Sequence, residues 1–572
     1  MTLTDARSVD LPPDRPAHDP ARLTLDGYAA RSCAVKTYNA FHPGIHRPPQ
    51  REGGGQPGLA EFAQRTYAAI LAGPQLVVDL RGLRGQPPEE QQRACVEALA
   101  GPAQVVLGGL LPRDLAGHRT GRAELLVRAQ DGGWVPGLVK LTKALDPRRD
   151  ASTATLSALT DLASPAVQPG LRYRWHYRWT NAVHLAHLHR MLEAAGFAAA
   201  TPQGLVVGTD EVAGLGQVAV WLDLADPVLP LTGGQDETDP PETALQRYDR
   251  EFATRLALAR QAAASDPGLP PDVLPVVNRE CGWCTWWDSC LARLDPDDLS
   301  LRIAKSPLDI HEITVLREAG VTTVSDLAGA DLDRLLLDFL PRVGHRTGGE
   351  DRLRLAQHRS RLLLEGIELD RTQPGPIAVP AAPLEIDVDI ETSADDRVYL
   401  WGFWVQDSAT GETGYHQVSR FEALDEAAEL ELAAAALGWL RDRVAGREAL
   451  VYHYSDYEVV RLGRLAERSG AEVFGWAKAF AATGFVDLFG IVRKHFFGTS
   501  GLGLKVVATR GAGFAWRDAD PGGLNSLQWF ADAISPSAGE PDRASARRRI
   551  LEYNEDDVRA TAAVRTWLRG LA

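Results

Sequence analysis

Long apolar runs are missing from this chain of 572 residues. No stretch approaches the ~20 residues a helix needs to cross a bilayer, which excludes a membrane span and predicts no membrane partner. The opening residues, MTLTDARSVDLPPDRPAHDPARL, are polar and proline-rich. They lack an apolar h-region, so they do not read as a signal peptide, and residues 1–27 are expected to form a flexible leader. Cysteine is scarce, with five in all, an odd number. That excludes a disulfide framework and fits a reducing, cytoplasmic location. Positive charge is in deficit: 61 Lys and Arg stand against 76 Asp and Glu, a net charge of −15. A protein that simply coats nucleic acid is usually basic, so that class is disfavoured. A metal-dependent nuclease is not, because it needs carboxylates and can meet phosphates in a local basic groove. There is no internal repeat, no long low-complexity segment and no GxxxxGK[ST] phosphate loop. Any unwinding of a duplex must therefore come from a partner such as a helicase.

Hydrophobic residues make up 45% of the chain and charged residues 24%, enough apolar surface for several cores. The length predicts roughly three to four domains. Residues 28–300 read as one α/β unit. Helical periodicity at 59–72, 87–100, 178–195 and 241–264 alternates with short apolar strands at 75–80, 103–109, 124–129, 138–141, 205–208 and 218–223. Asp131-Gly132-Gly133 marks a hairpin turn within 124–141. Residues 301–368 read as short helices. One ends at Gly320, the next is capped at Thr323 or Ser325, and a basic helix carries Arg352, Arg354, Arg359 and Arg361. Residues 369–383, rich in Pro and Ala without amphipathic period, read as a linker. The last domain, 384–572, opens with strands at 384–390 and 398–405 and continues with helices at 424–443, 456–469 and 543–568.

Two clusters carry chemistry. Cys281-Gly-Trp-Cys284, with Cys290 close behind, places three thiolates on one short turn. A CxxC step brings two sulfurs to one soft metal, three sulfurs need a fourth ligand, and Cys33 is the available donor. Four thiolates serve a [4Fe–4S] cluster or a structural zinc ion, and Trp283, Trp286 and Trp287 would keep water out. Buried cysteines without metal are the alternative. Cys95, in an apolar helical pattern, belongs to the core. The second cluster is acidic. Asp389 and Glu391 lie two apart on a strand and converge on one face, with Asp387 one step earlier. Tyr553 and Asp557, spaced i, i+4 on the final helix, also face one way. An acidic strand end without metal is the alternative.

An upstream cysteine followed far downstream by CxxCx5C resembles the iron–sulfur RecB-type nucleases of the AddB and Cas4 kind. The continuation Trp286-Trp287-Asp288-Ser289-Cys290 through Asp297-Asp298-Leu299-Ser300-Leu301 is similar to the TM0106-type RecB-like nucleases. These join such a module to a YprB-like ribonuclease H domain, and the resemblance covers nearly the whole chain. It implies an α/β multidomain protein. Its parts are a PD-(D/E)XK restriction-endonuclease-like module over 28–300 with a four-cysteine metal site, a helix–hairpin–helix-like connector over 301–368, and an RNase H-like exonuclease domain of DEDD type over 384–572.

In the RecB-like pattern, Glu124 matches the first acid and Lys140 the lysine. Leu138 stands where a second acid is expected, and His184-Leu185-Ala186-His187-Leu188 replaces Gln-x-x-x-Tyr. With a carboxylate missing, cleavage by this module is expected to be weak or absent. A plain strand pair of Glu124 with Lys140 is the equal alternative. In the DEDD pattern, Asp389 and Glu391 are the opening motif, whose carboxylates share two Mg2+ or Mn2+ ions at the scissile phosphate. Tyr553-Asn554-Glu555-Asp556-Asp557 matches the closing motif, in which the aspartate completes the metal site and the tyrosine positions the attacking water. Glu458 stands in the place of the middle aspartate, Asp456 reads as a helix N-cap, and Asp487 is a further acidic candidate. Lys505 is expected to meet phosphate or to be a surface lysine. Gly320 marks a hairpin whose main-chain N–H groups would bind backbone phosphates; a helical spacer is the alternative. The expected activity is metal-dependent hydrolysis of DNA or RNA from a 3′ end, with a helicase or other repair protein as partner. The alternative is a nucleic-acid-binding adaptor with a structural Fe–S or Zn site.

Overall fold

The computed structural model describes residues 23–48, 58–148, 150–230, 241–269, 271–303, 308–520 and 522–571. Most of the expected leader, 1–22, lies outside the described residues. The chain divides into two compact units, Met1–Arg302 with Pro307–Arg354, and Ile303–Ser306 with Leu355–Ala572.

The first unit contains strands β1 Val77–Asp79, β2 Val105–Leu107, β3 Leu125–Arg128, β4 Trp134–Val139, β5 Leu145–Pro147, β6 Thr153–Ala158, β7 Ala166–Pro169, β8 Leu171–Tyr173, β9 Gln203–Val212 and β10 Gly216–Asp223. Eight of them form one mixed sheet in the order β1-β2-β3-β4-β9-β10-β6-β7, and β5 pairs with β8. The unbroken apolar run Leu125-Leu126-Val127 fits a strand covered on both faces. Leu126 packs with Leu185 and Leu188 of the helix Trp175–Ala194. Leu125 and Val127, of opposite parity, pack with Phe62 and Ile70 of the helix Leu59–Leu71. β3 and β4 make the expected hairpin, with Leu126 opposite Pro136. Gly132 turns it at φ +86°, a left-handed backbone that costs glycine nothing. The helix Ala244–Ala263 starts at a reciprocal capping box of Thr243 with Gln246, slightly later than periodicity alone placed it. Strands β5 to β8 were not anticipated, because they are short and carry no apolar run.

Further along this unit, the helix Ile310–Glu318 is followed by Gly320 at φ +83°. Thr323 then caps Val324–Gly329 in a box with Asp326, which settles the choice between Thr323 and Ser325. Glu312, fully buried, accepts from Arg346 at 2.8 Å and from Arg352 at 2.8 Å, so Arg352 of the expected basic helix is neutralised internally.

The second unit holds β11 Leu369–Arg371, β12 Leu384–Thr392, β13 Val398–Asp407, β14 Glu412–Ser419, β15 Ala449–His453, β16 Phe485–Asp487 and β17 Phe496–Gly498. The five-stranded sheet runs β14-β13-β12-β15-β16. β14, β13 and β12 are antiparallel, while β12, β15 and β16 are parallel. β11, the first residues of the expected linker, pairs with β17. Residues of even number on β12, from Leu384 to Ile390, pack on Ala433, Leu437 and Leu440 of the helix Glu426–Val444. Those of odd number, Glu385, Asp387, Asp389 and Glu391, face the final helix, Glu540–Arg569. Near the end of that helix Arg565 donates to Asp387 at 2.8 Å and to Gln406 at 2.7 Å, and lies 4.5 Å over the Tyr452 ring. Asp387 shares a face with Asp389 but is spent on this buried ion pair. No helix among the described residues is long and apolar enough to cross a membrane.

Candidate active site

Asp389 and Glu391 occupy the carboxyl-terminal half of β12, where ligands gather in sheets with parallel strands. Asp557 reaches the same spot from the final helix. Donor atoms of these three residues lie within 4.8 Å of one another, the one such set among the described residues. Crowding buried negative charge disfavours ionisation. Burial, then the Asp557 and Glu391 carboxylates, hold Asp389 well above the usual range. Burial and Asp557 push Glu391 up to about 8. Burial also lifts Asp557, opposed by Lys505 and Trp516. Divalent cations would relieve this repulsion, so the donor set suits Mg2+ or Mn2+.

Each carboxylate of the triad has a neutral donor beside it. Asn554 Nδ2 donates to Asp389 Oδ2 at 2.7 Å, Trp516 Nε1 donates to Asp557 Oδ1 at 2.6 Å, and the Ser526 hydroxyl bonds Glu391. Trp516 is delivered by its neighbour: the Arg517 amide and guanidinium both bond Asp556, at 2.8 and 2.9 Å. Asp556 therefore anchors a loop and lies outside the triad. Lys505, half-buried, donates to the Tyr553 hydroxyl at 2.8 Å and sits 4.7 Å from the centre of its ring. Burial and the nearby carboxylates keep that phenol neutral. Motif spacing gave no sign of Trp516 or Ser526, since each reaches the site from a segment of its own.

The middle-motif residues stand beside the triad. Glu458, in the first turn of the helix Tyr457–Arg468, is buried and pushed up to about 8 by burial and then by Asp487, Asp456 and Asp557. It is not within the 4.8 Å set. Asp487, at the end of β16 opposite His453, accepts the Ser455 N–H at 3.2 Å. Ser455 sits at φ +86°, an uncommon backbone for a residue with a Cβ and one that recurs where structure serves function. Asp456 occupies the N-cap position, yet its side chain makes no capping bond. Its ψ of 3° departs from the extended backbone a capping side chain requires, which corrects the expected role.

In the first unit, Glu124 and Lys140 form an ion pair at 2.9 Å. The second Glu124 oxygen accepts the Val139 N–H at 2.5 Å, so both oxygens are engaged. Leu138 is wholly buried in the core. His187 is held by the Tyr248 hydroxyl and the Thr120 carbonyl, at 2.8 and 3.0 Å. His184 is buried, and desolvation followed by Arg31 and Lys140 keeps it neutral.

Also in that unit, Cys33, Cys281, Cys284 and Cys290 line one pocket, together with Lys36, Trp286 and Trp287. Cys33 lies at the start of the helix Ala34–Phe41, and Cys290 lies in the helix Trp287–Leu291. Burial raises the Cys33 and Cys281 thiols and pushes Cys290 up to about 11. A bound metal would be needed to hold them as thiolates. Cys95 is fully buried in the core, as expected.

Residues 387–569 match the family model RNase_H_2, of the RNase_H superfamily. The match begins at Asp387 on β12 and ends with the final helix, so it spans the five-stranded sheet and the acidic triad. Domains of this superfamily are generally hydrolytic nucleases that use divalent metals. The match suggests a nuclease-type function for this region, with nucleic acid as the implied substrate. Comparison with curated proteins and with solved structures finds no match.

Proposed function

We propose that residues 384–572 form a 3′–5′ exonuclease-type phosphodiesterase acting on DNA or RNA. The observation that carries this reading is the gathering of Asp389, Glu391 and Asp557 within 4.8 Å, inside the region matched to the RNase_H superfamily. These three would hold Mg2+ or Mn2+, with Glu458 completing the set and Asp487 assisting from behind it. Two divalent ions bound there would neutralise the scissile phosphate and activate water. The chain's own residues supply the rest. Tyr553, a neutral phenol, holds the attacking water, and Lys505 orients its hydroxyl and offers positive charge to the phosphate. The test is digestion of DNA and RNA, single- and double-stranded, labelled at either end, by the full chain with Mg2+ or Mn2+. Mononucleotides should leave from the 3′ end and cease to do so in Asp389→Ala. Release that survives Asp389→Ala overturns the assignment.

We further propose that residues 28–300 form a RecB-like PD-(D/E)XK module of TM0106 type that binds nucleic acid and cuts weakly or not at all. The engagement of both Glu124 oxygens supports this reading. Cys33, Cys281, Cys284 and Cys290 would hold a [4Fe–4S] cluster in that module. A structural zinc ion is the alternative occupant of the same four thiolates. The hairpin at Gly320 would add backbone phosphate contacts, and a helicase or repair protein would supply unwinding in the cytoplasm. Lys140→Ala should leave 3′ release unchanged. Metal-dependent cutting that is lost in Lys140→Ala and kept in Asp389→Ala would reverse the division of labour.

A further inference from the structure

Asn554 is wholly buried, and its amide is gripped at both ends. Its Oδ1 accepts the Tyr415 hydroxyl at 2.7 Å, and its Nδ2 donates to Asp389 Oδ2 at 2.7 Å. Flipping the amide would set Oδ1 against the Asp389 carboxylate, two acceptors face to face. The carboxylate thus sets the orientation, and the tyrosine hydroxyl, able to donate or accept, follows it.

The room for this side chain comes from a third strand residue. β13 passes Asp389 with Gly402 directly opposite in register. A Cβ on Gly402 would lie 1.6 Å from Asn554 Oδ1 and 2.7 Å from its Cγ. No side chain larger than hydrogen leaves the amide where it is, a familiar reason for glycine inside a strand. Tyr415 enters from β14, the next strand out. Gly402 and Tyr415 therefore meet the Asn554 amide from two strands, and that amide, carried by the final helix, bonds one oxygen of Asp389. About one turn of that helix delivers Tyr553 and Asp557 on a shared face and Asn554 beside them.

We propose that Gly402, Asn554 and Tyr415 form a positioning clamp that commits Asp389 Oδ2 to a neutral donor and leaves Oδ1 to a divalent cation. This rests on the reading of the acidic triad as a metal site. Outer hydrogen bonds of this kind orient a ligand and keep its second oxygen from competing geometries. Their loss typically lowers metal affinity 10- to 100-fold. The clamp touches neither substrate nor ion, so its three residues are positioning residues.

The test is Mn2+ binding to the full-length chain, followed by the electron paramagnetic resonance of free Mn2+, with no substrate present. Gly402→Ala removes no polar group but evicts the amide, and Asn554→Ala removes it. Both should weaken binding about 10-fold or more. Tyr415→Phe deletes a single oxygen from a half-buried position, which keeps the test open if Gly402→Ala folds poorly. It should weaken binding several-fold while leaving the metal-free unfolding midpoint near that of the wild type. If the wild type binds Mn2+ and Tyr415→Phe and Asn554→Ala bind it equally well, the clamp is wrong and the metal site stands. If the wild type binds no Mn2+, the metal-site reading fails and takes the clamp with it.

Discussion

Arg565→Met probes how the acidic face of β12 is divided between holding the fold and doing chemistry. Arg565 is 2% exposed and Asp387 0%, and the guanidinium bonds both Asp387 oxygens, at 3.3 and 2.8 Å. Methionine keeps much of the side-chain volume but strands an ionised carboxylate in the core. Breaking a buried pair this way costs about 3–5 kcal/mol. For a domain of roughly 150–250 residues each kcal/mol moves the midpoint about 2–4 °C, so the unfolding of the C-terminal unit should shift down by about 6–20 °C. The loss should also depend on pH. Burial, only partly offset by Arg565, already lifts the Asp387 carboxyl from 3.8 to about 6. Between those values the folded state holds a proton that the unfolded chain has released, so stability falls as pH rises through the window. Without Arg565 the carboxyl rises further, and the deficit of Arg565→Met should grow from about pH 5 to about pH 8. Adding Asp387→Asn to the Arg565→Met variant should recover part of it, because an amide replaces the stranded charge. Asp387→Asn alone should leave Mn2+ binding in place. The assay is thermal and urea unfolding of the full chain followed by circular dichroism across that range. A loss below about 1 kcal/mol, or a deficit that ignores pH, would refute the reasoning.

Three further outcomes follow from the sites. Glu391 and Glu458 are both raised from 4.5 to about 8, so the ion-free protein should lose stability as pH climbs between those values. Mn2+ displaces the protons, so its thermal stabilisation should be greater near pH 8 than near pH 6; a shift that does not vary with pH counts against the metal site. Trp516→Phe deletes a hydrogen bond to Asp557 of the kind worth about 1.5–3 kcal/mol, and calorimetric titration should show Mn2+ affinity reduced about tenfold or more; unchanged affinity removes Trp516 from the site. Cys281→Ser should lower bound iron and acid-labile sulfide in anaerobically purified protein and lower the melting temperature, and wild-type iron content in that variant would rule the cysteine out as a ligand.

Local geometry was legible in the residues themselves. A strand repeats every second residue, so the shared face of Asp389 and Glu391 could be read directly, and the i, i+4 spacing of Tyr553 and Asp557 follows equally from the helix. The hairpin at Gly132 was legible for the same reason, and the cap was narrowed to Thr323 or Ser325, because a turn or a cap is decided within a few residues. Strands β5 to β8 were not, since they carry no apolar run, and the pairings of β5 with β8 and of β6 with β10 join segments distant in the chain. Nor was the parting of Asp387 from Asp389, two acids on one strand face. Arg565 takes the first and Asn554 holds the second, and only the docking of the final helix decides which acid meets which donor. Trp516, Ser526, Tyr415 and Gly402 follow the same logic. Trp516 and Ser526 meet carboxylates, and Tyr415 and Gly402 meet the Asn554 amide, only through long-range packing, so none leaves a spacing to find. Backbone periodicity determined which acids face together, and tertiary burial determined which of them remain available to an ion.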